Sequence, residues 1–134
     1  MQVSPEIMET VNKPGRVGTL STADQNARPN VAYFGSPRFL DQETFVAALT
    51  ANRTLANLEE NPYAVFFCVE EAPVSFGTSG CRLYLKVKEI QKHGPLLDQM
   101  KATIAQNAGE KAAEAIRAAV AFDVTDTRPL VDMG

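Results

Sequence analysis

The chain has 134 residues, 45% of them hydrophobic and 22% charged, and a formal net charge of −3. That length fits one domain with one core, residues 1–134, and not two. No apolar run approaches the roughly 20 residues of a membrane-spanning helix, and the absence of a basic cluster argues against a nucleic-acid or membrane-surface footprint. Met1-Gln2-Val3-Ser4-Pro5-Glu6 has neither the basic start nor the apolar block of a signal peptide, so a cytoplasmic location is expected.

In chain order, Ser4-Pro5 opens a short helix with proline at its first position and Ile7, Met8 and Val11 as its apolar stripe; it ends near Pro14-Gly15. Residues 16–22 and 29–40 read as two strands joined by the polar turn 24–28, and Asp41-Gln42-Glu43 turns the chain into a third strand, 44–49, completing a meander. A helix follows over 53–60, stopped by Asn61-Pro62. The run 63–69 is almost continuously apolar, as in a strand buried on both faces.

The loop 71–80 is rich in Pro, Ser, Gly and Thr and suits a mobile segment or a subunit contact. Residues 82–90 alternate apolar and polar, which gives one buried face and one that is wet or meets a partner. Gly94-Pro95 starts a helix with Leu96, Leu97, Met100 and Ile104 as its stripe; an alanine-rich helix continues through Ile116, and 120–124 alternates again as a last strand. The expected architecture is mainly β: a six-stranded antiparallel barrel with α-helices packed outside.

Asn52-Arg53-Thr54-Leu55-Ala56-Asn57-Leu58 is the stretch with the most chemistry. A strand feeds directly into a helix whose first turn offers a cation, a hydroxyl and an amide beside free backbone N–H groups and the positive end of the helix dipole, an arrangement that suits phosphate. Thr54 and Asn57 share one helix face, and Leu55 and Leu58 share another that packs inward. The same residues also suit an ordinary capped surface helix with a solvated Arg. Cys68 and Cys81 lie in strand-like runs with no CxxC spacing, and His93 is the single histidine. Buried free thiols are therefore expected, and no metal site.

Arg28-Pro29-Asn30-Val31, Asn52-Arg53-Thr54 and Asn57-Leu58-Glu59-Glu60-Asn61-Pro62 before an apolar strand together resemble the pyridoxamine 5'-phosphate oxidase-like family of FMN-binding split barrels, from about residue 17 to 90. The resemblance implies FMN as cofactor, with Arg53 and Thr54 on its phosphate and Asn57 nearby; an Arg fork suits phosphate oxygens. It places Tyr33, Phe34, Gly35 and Ser36 against the isoalloxazine, and Leu49, Thr50 and Ala51 beside the pyrimidine and ribityl side. Arg82 falls where a residue of the partner subunit reaches the cofactor, which implies a homodimer.

The bland readings differ in weight. Tyr33 and Phe34 must point to opposite faces, and Tyr33 is the one expected in the core. Arg82 equally suits a solvated strand-edge charge. His93 reads as a surface turn residue, and the pairs Glu59-Glu60 and Glu70-Glu71 as solvated ends of elements. The resemblance implies extra basic and histidine residues near the C-terminus in members that act on pyridoxamine phosphate; the tail 126–134 has one Arg and no His, which disfavours vitamin B6 oxidation. The resulting expectation is an FMN-dependent oxidoreductase that exchanges electrons or hydride with a small-molecule donor or acceptor and uses no catalytic side chain. The alternative is a non-catalytic FMN carrier, or a module for another phosphorylated or tetrapyrrole ligand.

Overall fold

A computed structural model describes residues 1–133 of the chain. The elements run α1 (Pro5–Asn12), β1 (Val17–Ala23), β2 (Pro29–Tyr33), β3 (Arg38–Asp41), β4 (Thr44–Thr50), α2 (Arg53–Glu60), β5 (Tyr63–Val69), β6 (Gly80–Gln91), α3 (Pro95–Ala108), α4 (Glu110–Ala115) and β7 (Ile116–Arg128). All pairings are antiparallel, in one seven-stranded sheet of order β2-β1-β5-β6-β7-β4-β3. The two outermost strands, β2 and β3, are consecutive in the chain and separated only by residues 34–37. So short a link spans under about 20 Å, so the sheet must curl until its ends approach, which makes a barrel with a seam.

The predicted strand 29–40 is thus broken in two, and the expected meander becomes two hairpins at opposite edges of the sheet. Pro37, which has no N–H to donate, lies in the break, and the chain changes partner there from β1 to β4. Counted as one bent strand, β2 and β3 give the six strands expected. The last strand is also longer than its predicted 120–124, because alanines at 118, 119 and 121 hide its alternation, and the alanine-rich helix stops at Ala115.

Phe39, Phe45, Phe66 and Phe122 meet inside the barrel with ring centroids 4.9–6.1 Å apart, packed with Leu20, Leu49, Leu83 and Leu85. Val11 of α1 joins this core. Ser4 Oγ caps α1 by accepting from Ile7 N–H at 3.2 Å. A second apolar layer lies on the outer face of β4 and β7, where Val46, Ala48, Ala119 and Ala121 carry Leu97 and Met100 of α3. The small alanines let the helix sit close, so β4 and β7 are buried on both faces.

That role was expected of β5. Instead, β5 alternates, with Tyr63 and Phe67 exposed on its outer side. Cys68 and Cys81, buried and unpaired, stand opposite each other in the β5–β6 register. No helix among the described residues is long and apolar enough to cross a membrane.

Candidate functional site: two arginine-lined clefts beside the seam

The first cleft, of about 680 Å³, lies where the start of β2 meets the end of β4 and the first turn of α2. Its lining includes Arg28, Pro29, Asn30, Ala51, Asn52, Arg53, Asn57 and Glu60. Asn52 caps α2, its Oδ1 accepting from Leu55 N–H at 2.9 Å, and its own N–H is held by Thr50 O at 2.9 Å. The N–H groups of Arg53 and Thr54, at the first two helical positions, find no partner among the described residues. They remain available to an anion.

Arg53 is exposed and takes part in no hydrogen bond or ion pair among the described residues. Arg28 is held in place by Asp24, whose Oδ2 accepts from its Nε at 2.8 Å. Asp24 also accepts from the Asn26 and Arg28 N–H groups. The hydrogen bond from the Arg28 backbone N–H, with help from the others, holds the Asp24 carboxyl below its usual value.

The other residues expected at the phosphate differ. Thr54 is 1% exposed and turned inward beside Leu55 and Leu58, so its side chain does not share the solvent face of α2; Arg53, Ala56 and Glu60 do. Asn57 is buried and gives its Nδ2–H to Thr22 Oγ1 at 3.1 Å, pinning α2 to β1. Thr54 can still serve an anion through its backbone N–H.

The residues expected at the ring scatter. Leu49 is fully buried in the barrel core, which removes its side chain from any ligand; Thr50 and Ala51 stay at the rim. Tyr33 is 66% exposed and Phe34 packs against the core, the reverse of the expected pair. Ser36 Oγ donates to Ala48 O at 2.9 Å and accepts from Ala48 N–H at 3.1 Å, so it extends the β3–β4 pairing past the end of β3. Gly35 opens onto space, with no heavy atom within 4 Å of where a Cβ would stand.

Tyr33, Gly35 and Ser36 border a second cleft of about 460 Å³, together with Lys13, Arg16 and Arg38. Arg16 is its built centre. Its Nε donates to Val11 O and its Nη1 to Phe34 O, both at 2.9 Å. Its Nη2 reaches Gly35 O at 3.2 Å and, closer still, Pro37 O. The guanidinium stacks on Phe66, 5.1 Å from the ring centroid, and a Cβ at position 18 would collide with both groups, so only glycine fits there. No carboxylate faces Arg16, and burial lowers its pKa. One cation thereby clamps residues 34–37, the link that closes the barrel. A lone Arg at a strand start gives no sequence signal for this.

Arg82 lies away from both clefts. Its Nε donates to Pro129 O at 2.8 Å, and Nη2 sits 2.8 Å from Asp132 Oδ2 as an ion pair too misaligned to count as a hydrogen bond. The tail therefore occupies it within this chain. It ends an outward row of Tyr33, Thr19, Phe67 and Arg82 across β2, β1, β5 and β6. His93 lines a further surface cleft with Asn52 and Arg117 on the other flank of α2, next to the first cleft, which its place in a turn did not reveal.

The curled antiparallel sheet and the anion-ready helix start beside its seam define a split-barrel protein. The chain belongs to the pyridoxamine 5'-phosphate oxidase family, whose model matches residues 3–129. Among solved structures it is similar to an FMN-binding protein from Syntrophomonas wolfei subsp. wolfei, with a TM-score of 0.82 at 22% identity over 96% of this chain and 86% of that one. It is also similar to HutZ, the heme storage protein of Vibrio cholerae, with a TM-score of 0.65 at 23% identity over 100% and 93%. An F420 reductase aligns with a TM-score of 0.67 at 16% identity over 92% and 98%. At these identities the likeness establishes the fold. Comparison with curated proteins gives no match.

Proposed function

We propose that the chain binds FMN and acts as an oxidoreductase that passes electrons or hydride to or from a small molecule, working as a homodimer. The observation that carries this reading is the α2 N-terminus, where two unpartnered backbone N–H groups and the unpaired Arg53 border one cleft. Those groups fit a phosphate monoester: Arg53 supplies the fork, and the Arg53 and Thr54 N–H groups supply in-plane donors. Arg28 adds a second guanidinium, although Asp24 and Glu60 on the same lining balance the two arginines in formal charge. From this cleft β2 runs toward Tyr33 and Gly35, so a flat ring lying along that strand would meet backbone and open space, with no acid or base required. FMN, when bound, supplies the redox chemistry through its own ring.

The dimer rests on the outer face of β2, β1, β5 and β6. Val31, Tyr33, Tyr63 and Phe67 stand exposed there, on neighbouring strands in register. An apolar face of this kind on a monomer is unusual, and a second copy would cover it. Arg82 at the end of the face would approach a partner's cofactor only if Asp132 and the tail released it. The two buried cysteines, opposite each other and unlinked, agree with a reducing, cytoplasmic setting.

The test is the absorbance spectrum of freshly purified protein, followed by titration of FMN into Arg53→Ala. Bound oxidised flavin is expected in the wild type, and Arg53→Ala should weaken it by about 1.5–3 kcal/mol, the worth of a charge-assisted hydrogen bond. Reduction of the bound flavin by a nicotinamide nucleotide would separate an enzyme from a carrier. A haem spectrum, or binding of F420 in preference to FMN, would replace this reading with the ligand named for one of the two other structural neighbours. Unchanged FMN affinity in Arg53→Ala would move the phosphate elsewhere.

A further inference from the structure

The second cleft does not end at Arg16. It shares Gly35, Ser36, Arg38 and Asn107 with an adjoining cleft of about 500 Å³, so the two form one trough. Helix α3 rests on β4 and β7 and leaves the edge strand β3 uncovered, with Leu40 43% exposed. The trough runs between that edge and the last turns of α3. Its far end is apolar, walled by Leu40, Met100 and Ile104. Its near end carries Lys13, Arg16 and Arg38.

No carboxylate lines either part, although the chain carries more acidic than basic residues, 16 against 13. Nor are the three cations equivalent. Lys13 is already matched by Glu70, whose Oε1 lies 2.7 Å from its Nζ. Arg16 turns its donors to carbonyls, which satisfies its hydrogen bonds and leaves its charge unbalanced. Arg38, which touches both parts of the trough, has no hydrogen-bond or ion-pair partner among the described residues. A half-buried positive charge without a counter-ion, next to a free guanidinium fork and an apolar slot, matches one kind of small molecule.

We propose that this trough binds an amphipathic organic monoanion, with a carboxylate head at Arg38 over the Arg16 charge and an apolar body between Leu40 and α3. The site is separate from the α2 cleft and does not depend on the FMN reading. In the flavin-binding reading it is where an apolar acid would be held next to Gly35, at the far end of β2 from the phosphate. Gly35 leaves the trough open: its φ is not in the left-handed region and nothing stands within 4 Å of its missing Cβ, so a larger residue there fills the trough without straining the fold.

The test is calorimetric titration of the full-length protein at low salt with 1-naphthoate and with its neutral analogue 1-naphthalenemethanol. Naphthoate should bind at least tenfold more tightly than the alcohol. Arg38→Glu should weaken naphthoate at least tenfold and leave the alcohol unchanged. Gly35→Phe should weaken both at least tenfold, and Thr103→Trp, which fills the slot from the α3 wall, should do the same if Gly35→Phe does not fold. Arg53→Ala should alter neither, whatever it does to FMN. The proposal is overturned if wild-type protein does not bind naphthoate, if the alcohol binds as well as the acid, if Arg38→Glu and the filling variants bind like wild type, or if Arg53→Ala alone abolishes binding.

Discussion

Replacing Arg16 with Met keeps an unbranched apolar stem but ends short of the guanidinium, removing its charge, its donors and its stacking on Phe66, so it tests the clamp on residues 34–37. Two of the lost hydrogen bonds, to Val11 O and Phe34 O, are partly buried at 2.9 Å, and each is worth about 1.5–3 kcal/mol with a charged donor. The bond to Gly35 O is exposed, where water replaces it at little cost. Against a loss of about 3–6 kcal/mol stands relief of the guanidinium's own desolvation, which lowers its pKa in the folded chain. The net expectation is a destabilisation of about 3 kcal/mol, or a fall of roughly 1–3 M in the urea midpoint at unchanged slope. Amide exchange should show the Phe34 N–H, bonded to Gly18 O at 3.0 Å, losing protection with or before the global transition. Arg38→Met, which breaks no side-chain hydrogen bond or ion pair among the described residues, should stay within about 0.5 kcal/mol of wild type. A loss under 1 kcal/mol in Arg16→Met would mean that water satisfies these carbonyls and that the link is held by Ser36 and Pro37 alone.

Further outcomes follow from other contacts. Ser36→Ala removes both hydrogen bonds to the Ala48 backbone and should cost about 1–2 kcal/mol in thermal or urea unfolding; an unaffected melt would show the bent strand closing without it. Phe67→Glu puts a charge in the middle of the exposed outer row proposed as the dimer face; wild type should sediment as a dimer and the variant as a monomer, whereas a dimer that survives the change must use another face. Burial pushes the Cys81 thiol up from 9.0 to about 12, so its proton stays on in the folded chain after the unfolded chain has lost it. Its stabilisation is complete below pH 9 and falls by about 1.4 kcal/mol per unit toward pH 12. The stability advantage of wild type over Cys81→Ala should shrink over that range in pH-dependent urea titrations; a constant difference would mean that the thiol titrates normally.

Local chemistry made most elements legible. Ser4-Pro5 and Asn52 announce α1 and α2 by their caps, and the α2 boundaries match residue for residue. What the sequence hid depends on distant neighbours. An apolar run such as 63–69 reads the same whether a helix, a second subunit or water covers its outer face, so β5 reads as the doubly buried strand although the alanines of β4 and β7 mark the helix-covered ones. At the first cleft, Arg53 is within reach of residue-level reading, because helix starts attract anions, whereas Ala51 comes only from the family resemblance. The inward turn of Thr54 and the engagement of Ser36 by Ala48 are out of that reach, since both are set by the partner across the gap. Arg16 and Arg38 were missed for the same reason: an unbalanced charge is a property of what lies around a side chain.

The position of β7 decides when this chain can begin to fold. Remove it, and the sheet falls into two pieces, β2-β1-β5-β6 and β4-β3, with no strand pairing between them. The β3–β4 hairpin is complete by Thr50 yet finds its second neighbour only in Ile116–Arg128, more than 60 residues later. During synthesis the apolar edge of β4 must therefore wait, unpaired, until β7 has been made. Pairings this distant slow folding, and an exposed waiting edge is where chains join wrongly to one another. Any stop before or within β7 strands the hairpin rather than trimming the domain, so chains cut there should aggregate more readily than chains that carry β7.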